Sequence, residues 1–151
     1  MLDINIFIER INKKSRLIGI DPGGKRIGIA ISDENKIVAT PYTTLTRENY
    51  ADLLAKIKKI IDDNQIEGIV IGNPVNMDGT EGPSSQSVKD KIKLIYKDLN
   101  IPTVLWDERL STVGSFNISS QLDINVSKRV KNIDQNSAAF ILQGVLDYLN
   151  K

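Results

Sequence analysis

Leu17-Ile18-Gly19-Ile20-Asp21-Pro22-Gly23-Gly24-Lys25-Arg26-Ile27-Gly28-Ile29-Ala30-Ile31-Ser32-Asp33 sets two isoleucine-rich runs on either side of a turn of Pro, two Gly and two cations. Short apolar runs bounded by such a turn predict a β-hairpin, with strands at Arg16 to Asp21 and Arg26 to Ser32. The first strand ends in a lone carboxylate, Asp21. An unpaired charge is costly at a buried strand end, so Asp21 needs the Gly23 and Gly24 amides, a cation or a metal as its partner. Asp-Pro-Gly is also good turn chemistry, and a purely turn-forming Asp21 stays open at this point.

Composition narrows the chemistry around that carboxylate. The chain has 151 residues, enough for one domain with a sizeable core, and 40% of them are hydrophobic, as in ordinary globular proteins. No apolar run is long enough to span a membrane. The first ten residues interrupt their apolar positions with Asp3 and Glu9 and lack a basic start, so they do not read as a signal peptide. A cytoplasmic protein is expected. There is no Cys, which excludes thiolate zinc sites, disulfides and cysteine nucleophiles. There is no His, which excludes histidine triads and imidazole ligands. Acid–base or metal chemistry must then use carboxylates, Lys, Tyr or hydroxyls, and an oxygen-only donor set suits Mg²⁺ or Mn²⁺. The net charge of +1 says little about nucleic acid, but Lys13, Lys14, Arg16, Lys25 and Arg26 cluster near the opening hairpin.

Residues 1–15 read as an N-terminal extension, with Ile4, Phe7, Ile8 and Ile11 at helical spacing. A third strand is expected from Lys36 to Thr40, then a connection from Thr43 to Glu48. Tyr50, Leu53, Leu54, Ile57, Ile60 and Ile61 form one face of an amphipathic helix that ends at Asp62-Asp63-Asn64. Glu67 to Gly72 reads as a buried parallel strand and Asn73 to Ser87 as a long loop of the functional kind. A helix carrying Val88, Ile92, Ile95 and Leu99 follows, and Pro102 stops it. Thr103 to Trp106 is expected to be a strand, residues 110–121 to be helical, and Asp123 to Asn132 to be a mobile polar stretch. The last helix is expected from about Ile133, with Ala138, Ile141, Leu142, Val145, Leu146 and Leu149 on its apolar face. The order implies an α/β fold: a mixed five-stranded sheet, three antiparallel strands then two parallel, flanked by helices. Sites in such sheets gather at the carboxyl ends of the parallel strands, where Asp21 and Asp107-Glu108 stand. Asp134, one helical turn before Ala138, should face inward near the start of the last helix. Read alone, Asp134 caps that helix or sits favourably at its positive end, and Asp107-Glu108 is a solvated strand end with Glu108 paired to Arg109.

Four motifs occur in order: Gly19-Ile-Asp-Pro-Gly-Gly-Lys-Arg-Ile-Gly-Ile-Ala30, Gly72-Asn-Pro-Val-Asn-Met-Asp-Gly-Thr-Glu-Gly-Pro83, Asp107-Glu-Arg-Leu-Ser-Thr112 and Lys131-Asn-Ile-Asp-Gln-Asn-Ser-Ala-Ala139. Together they resemble the YqgF/RuvX family, the pre-16S ribosomal RNA nucleases also called Holliday junction resolvases. The likeness covers about residues 16–149 and leaves the extension outside. It implies an RNase H-like fold in a single nuclease domain over 16–151, with Mg²⁺ or Mn²⁺ held by catalytic carboxylates. Those carry over to Asp21, to Asp107 or Glu108, and to Asp134. Alternation points Asp107 and Glu108 to opposite faces, so one of the two reaches the metal. The chain departs from the family pattern at Gly24 (usually Thr), Ser84 (often Arg) and Gly114-Ser115 (often Glu-Ala). None of these removes a catalytic acid.

Phosphodiesters are anionic and repel nucleophiles, and two divalent ions about 3.5–4 Å apart can hold the attacking and leaving oxygens together. Lys25, Arg26 and Arg109, with Asn73, Asn76 and Lys131, are expected to contact nucleic acid. The resulting expectation is a metal-dependent nuclease processing the 5′ end of precursor 16S ribosomal RNA, as a monomer or weak homodimer. The alternatives are a resolvase of four-way DNA junctions and a nucleic-acid-binding transcription factor without turnover. A sugar kinase of the actin-like superfamily also opens on an Asp-x-Gly hairpin, but it needs two such domains and this chain is too short.

Overall fold

β-Branched residues fill the opening hairpin, and their side chains pack well on a pleated surface buried on both faces. The computed structural model describes residues 3–22, 26–46, 49–73, 90, 94, 97–107 and 126–150, with the backbone alone for 126–134. Its elements are α1 (Ile4–Arg10), β1 (Arg16–Asp21), β2 (Arg26–Ser32), β3 (Ala39–Thr46), α2 (Tyr50–Asn64), β4 (Ile66–Asn73), β5 (Thr103–Asp107) and α3 (Val126–Leu149). The strands form one sheet in the order β3-β2-β1-β4-β5. β2 pairs antiparallel with β1 and β3, while β1–β4 and β4–β5 are parallel. This is the expected mixed five-stranded sheet.

Alternation along the strands divides the core into two layers. Ile18, Ile20, Ile29, Ile69 and Ile71 pack on one face against Leu53, Ile57, Ile60 and Ile61 of α2. Leu17, Ala30, Val70 and Val104 pack on the other against Ala138, Ile141, Leu142, Val145 and Leu146 of α3, and against Phe7 of α1. α3 comes very close to β1. A Cβ built on Gly19 would lie 2.7 Å from Leu142 Cβ and 2.9 Å from the Ala138 carbonyl oxygen. α1 covers the remainder of that face, with Phe7 fully buried and its ring 3.0 Å from where a Cβ on Gly68 would stand. Among the described residues, no helix is long and apolar enough to cross a membrane.

The turn between β2 and β3 is built on Asp33. Its carboxylate accepts from the backbone N–H groups of Asn35, Ile37 and Val38 at 3.2, 2.8 and 2.9 Å. Lys36 takes the left-handed conformation (φ 57°) and is 6% exposed. Its ammonium donates to the carbonyls of Asn12 and of Lys13, the latter at 2.8 Å, and its own carbonyl accepts from Asn150 Nδ2 at 2.7 Å. Burial lowers the Lys36 pKa, opposed by Glu67 and Asp33. The N-terminal strap, this turn and the end of α3 therefore meet on one residue, the strap at its ammonium and the helix end at its backbone carbonyl.

Two segments differ from expectation. β3 was expected at Lys36 to Thr40 and runs from Ala39 to Thr46. The Asp33-centred turn occupies 33–38, and Thr40, Thr43, Thr44 and Thr46, all β-formers, carry the strand through the expected connection. A bulge absorbs Pro41: Ala30 pairs with Pro41 and Ile29 with Thr43, leaving Tyr42 as the extra residue. The last helix begins at Val126, seven residues before Ile133, so the stretch expected to be mobile is helical from 126 to 132. Lys128, Arg129 and Lys131 are good helix formers, and their polarity was mistaken for a loop. Asp90, Leu94 and residues 97–99 are helical, as expected. Of the loop expected from Asn73 to Ser87, Asn73 is the last residue of β4, and 74–87 lie outside the described residues, as does the expected 110–121 helix.

Two tests follow from this packing. Gly19→Ala is expected to cost about 1–3 kcal/mol, since the backbone of α3 must move to admit a methyl group. Denaturant unfolding measures it, and an unchanged midpoint would mean the contact is loose. The second concerns acid. The Val38 amide above all holds the Asp33 carboxyl below its ordinary 3.8; burial opposes it, and the Ile37 and Asn35 amides add to the lowering. A depressed folded-state value adds stability above the unfolded value and loses it as pH falls through the folded one. Asp33→Ala should therefore be less stable than the parent at pH 7, with the gap narrowing below pH 3.8 in thermal melts.

Candidate active site

β1, β4 and β5 run parallel and stop at the same edge of the sheet. Ile20 pairs with Ile71, and Asn73 pairs with Asp107, so Asp21, Asn73 and Asp107 are the last residues of three adjacent strands. Asp21 pairs on its other side with Gly28, two residues into β2 from Arg26. Asp21 and Asp107 are half-buried, Asn73 is 9% exposed and Arg26 is exposed. Each of the four makes polar or ionic interactions in the structure.

The pleat assigns these residues to faces. Asp21 follows Leu17 and Gly19 at spacing two, so it lies on the α3 side. Asn73 and Asp107 follow Ile71 and Leu105, which pack on the α2 side. Neighbouring strands are about 4.8 Å apart, so the backbones of β1 and β5 are separated by roughly 10 Å. Between Leu105 and Asp107, Trp106 turns to the α3 side and lies on Gly144. A Cβ on Gly144 would be 2.8 Å from the indole nitrogen, which has no hydrogen-bond partner, and Tyr148 meets the ring edge-on at 6.0 Å. Trp106 thus anchors the end of β5 to α3. The sequence reading missed this; a glycine inside an apolar helix face was the available sign.

α3 runs antiparallel to β1. Gln143 accepts from the Ala39 N–H at 2.8 Å and donates to the Ile37 carbonyl at 2.9 Å at the far end of the sheet, while Ala138 lies over Gly19. One turn back from Ala138, the backbone of residue 134 is displaced toward the strand end that carries Asp21. It lies in the interior of α3, eight residues past Val126, so Asp134 does not cap the helix as the simpler reading had it. The side chains of Lys131 and Asp134 lie outside the description, as do Lys25, Asn76, Glu108 and Arg109. Among the described residues, no three acidic side chains form a metal-holding group. The described donors at this edge are all oxygens or amides, the chemistry that hard divalent cations take.

The family model for RuvX, described as Holliday junction resolvase, matches residues 15–148. A Pelagibacter ubique protein named "Putative pre-16S rRNA nuclease" is 56% identical over 150 residues, covering 99% of each chain. A Cereibacter sphaeroides protein of that name is 40% identical over 147 residues, covering 97% of this chain and 92% of the relative. A Clostridium botulinum (strain Hall) protein of that name is 45% identical over 136 residues, 90% of this chain and 99% of its own. Among solved structures, Thermus thermophilus RuvC superposes with a TM-score of 0.55 at 9% identity, over 90% of this chain and 97% of that one. Fowlpox virus resolvase, in complex with Holliday junction DNA, gives 0.54 at 12% identity, over 90% and 99%. At such identities the likeness is one of fold, that of the RNase H-like resolvases. With most of its length matched by the family model and by close relatives, the chain belongs to the RuvX family.

Proposed function

We propose that this protein is a metal-dependent nuclease that hydrolyses phosphodiester bonds and processes the 5′ end of precursor 16S ribosomal RNA in the cytoplasm. The observation that carries the reading is the 56% identity, over 99% of both chains, to a relative bearing that name. The half-buried Asp21, at the carboxyl end of a central parallel strand, supports a site there. Cleavage of four-way DNA junctions is the second reading, favoured by the family's description as resolvase. A junction resolvase would act as a dimer with two symmetric sites, whereas trimming of RNA needs only a monomer or weak homodimer.

Asp21 and Asp134 would hold Mg²⁺ or Mn²⁺, together with one carboxylate of the Asp107-Glu108 pair. Alternation favours Glu108, because Asp107 shares the α2 side with Leu105 whereas Asp21 is on the α3 side. When bound, a divalent ion supplies charge neutralisation and activation of the attacking water. Arg26, exposed beside Asp21, would hold a phosphate, with Lys25, Arg109 and Lys131. Asn73, at the end of β4, and Asn76, three residues further along the sequence, would contact the nucleic-acid strand.

Matched RNA and junction substrates, with Mg²⁺ or Mn²⁺, separate the two readings by which is cut. Asp21→Asn and Glu108→Gln should each lower cleavage by orders of magnitude with unchanged circular dichroism, and Asp107→Asn should lower it less. In thermal melts, divalent metal should stabilise the parent by about 2.7 kcal/mol at a hundredfold excess over its dissociation constant. Asp21→Asn should lose most of that gain; equal metal-induced shifts in parent and variant would sink the carboxylate site. For binding to single strands, Arg26→Gln should reduce the salt slope of log K by about 0.7. Neutralising Lys58 or Lys59, exposed on α2, should leave the slope unchanged.

A further inference from the structure

Past the C-terminal end of α2, the sheet carries a depression of about 290 Å³, near the lower bound of roughly 300 Å³ for small-molecule clefts. Ile31 of β2 stands between Arg16 of β1 and Thr40, Pro41 and Tyr42 of β3, and Asn64 closes it from the end of α2. This is the amino end of β1: Arg16 is its first residue and Asp21 its last, a rise of roughly 16 Å. Arg16 lies two residues before Ile18 and shares its α2 face. It is half-buried, and among the described residues no carboxylate pairs with its guanidinium. Tyr42 is the extra residue of the β3 bulge, and a bulge re-aims a side chain. Here Tyr42 lines the depression while 48% exposed. The Asn64 amide nitrogen donates to the Ile60 carbonyl at 2.9 Å, which leaves the amide oxygen as an acceptor. The Asp33 carboxylate, at the rim, is already engaged by three backbone N–H groups.

We propose that this depression binds one nucleotide, with its phosphate on Arg16 and its base against Tyr42. It is a second site, at the other end of the sheet from the candidate catalytic edge, and it goes beyond the nuclease reading without depending on it. A guanidinium stays charged and presents its donors in a planar fork that matches a phosphate. An aromatic ring stacks on any base, and Ile31 and Pro41 add apolar surface for a planar ring system. Arg16 and Tyr42 stand two strands apart, about 10 Å, so one ligand with a charged end and a flat end engages both. Lys13 and Lys14 are exposed on the strap that leads into Arg16, and the Ser15 N–H holds that strap to the Glu34 carbonyl at 3.2 Å. Glu34, Asp62 and Asp63 are exposed beside lining residues, so positive charge is confined to the Arg16 side. That pattern suits a single phosphate better than a long run of them. The same chemistry is offered by a free nucleotide and by one unit of an RNA chain.

The test is an amide NMR titration of the full chain in chelator, so that binding is read without turnover. The probes are the four ribonucleoside monophosphates, adenosine, inorganic phosphate and a short single-stranded RNA. At least one monophosphate should shift the Thr40 and Tyr42 amide signals and leave those of Asp21 and Asn73 in place. Adenosine and inorganic phosphate, each engaging half of the site, should bind more weakly than that monophosphate. Arg16→Gln should weaken its binding by about tenfold or more, and Arg16→Lys by less. Tyr42→Leu should weaken it by about 5- to 150-fold, and Tyr42→Phe should keep it. Thermal melts check that each variant is folded, and Arg16→Lys and Tyr42→Phe keep the comparison open where a stronger change unfolds the chain. Displacement of the monophosphate by RNA would support the proposal with an RNA unit as the occupant. Binding that RNA leaves untouched would support it with a free nucleotide. Inorganic phosphate as tight as every monophosphate would overturn it by reducing the site to an anion contact. Equal affinity of parent and Tyr42→Leu would overturn it, as would shifts confined to Asp21 and Asn73 or no shifts at all.

Discussion

The close approach of α3 to β1 at Gly19 is the constraint on which the arrangement turns. With no side chain at 19, Leu142 and the Ala138 carbonyl sit directly on the strand backbone. Ala30 and Ala138 keep the neighbouring contacts similarly thin. Helix and strand are thereby locked in register along their lengths. That register determines which residues of α3 stand over the end of β1, and so brings the backbone of 134 toward Asp21. A bulkier residue at 19 would lift the helix from the sheet and widen the site together with the core.

The far end of α3 is held by polar groups. Gln143 bridges the Ala39 N–H and the Ile37 carbonyl, and Asn150 donates to the Lys36 carbonyl. Lys36, buried against the carbonyls of Asn12 and Lys13, ties in the N-terminal strap, and the Asn12 side chain donates to Glu67. In this chain α1 adds Phe7 to the core beside Leu17 and braces the pole opposite the strand ends. The candidate site and this bracing thus stand at opposite ends of the sheet.

Much of this was legible in the sequence. The hairpin around Asp21, the apolar face of α2 and the strands after it follow from period-2 and period-3.6 patterns that core packing enforces. β3 was misplaced because its register depends on a turn centred on Asp33 and on a bulge beside Pro41, neither of which leaves a periodic signal. The start of α3 was misplaced because Lys128, Arg129 and Lys131 are polar, and polarity distinguishes exposure better than it distinguishes helix from loop. Asp21 and Asp107 fall at strand ends as read, and Asn73, read as the start of the following loop, is the last residue of β4. Their division between the two faces needed the pairing register, and the anchoring of Trp106 on Gly144 needed the tertiary contact.

Among the described residues, no strand pairs with the outer edge of β3, and Tyr42 is exposed at 48%. An open edge is a template on which other chains can add strands, and long flat edges seed aggregation. Here Pro41 removes a backbone donor and the extra residue at Tyr42 breaks the repeat of hydrogen-bonding groups. Strand addition along the full length of β3 is therefore disfavoured. The bulge and the proline thus guard this edge against sheet-to-sheet polymerisation.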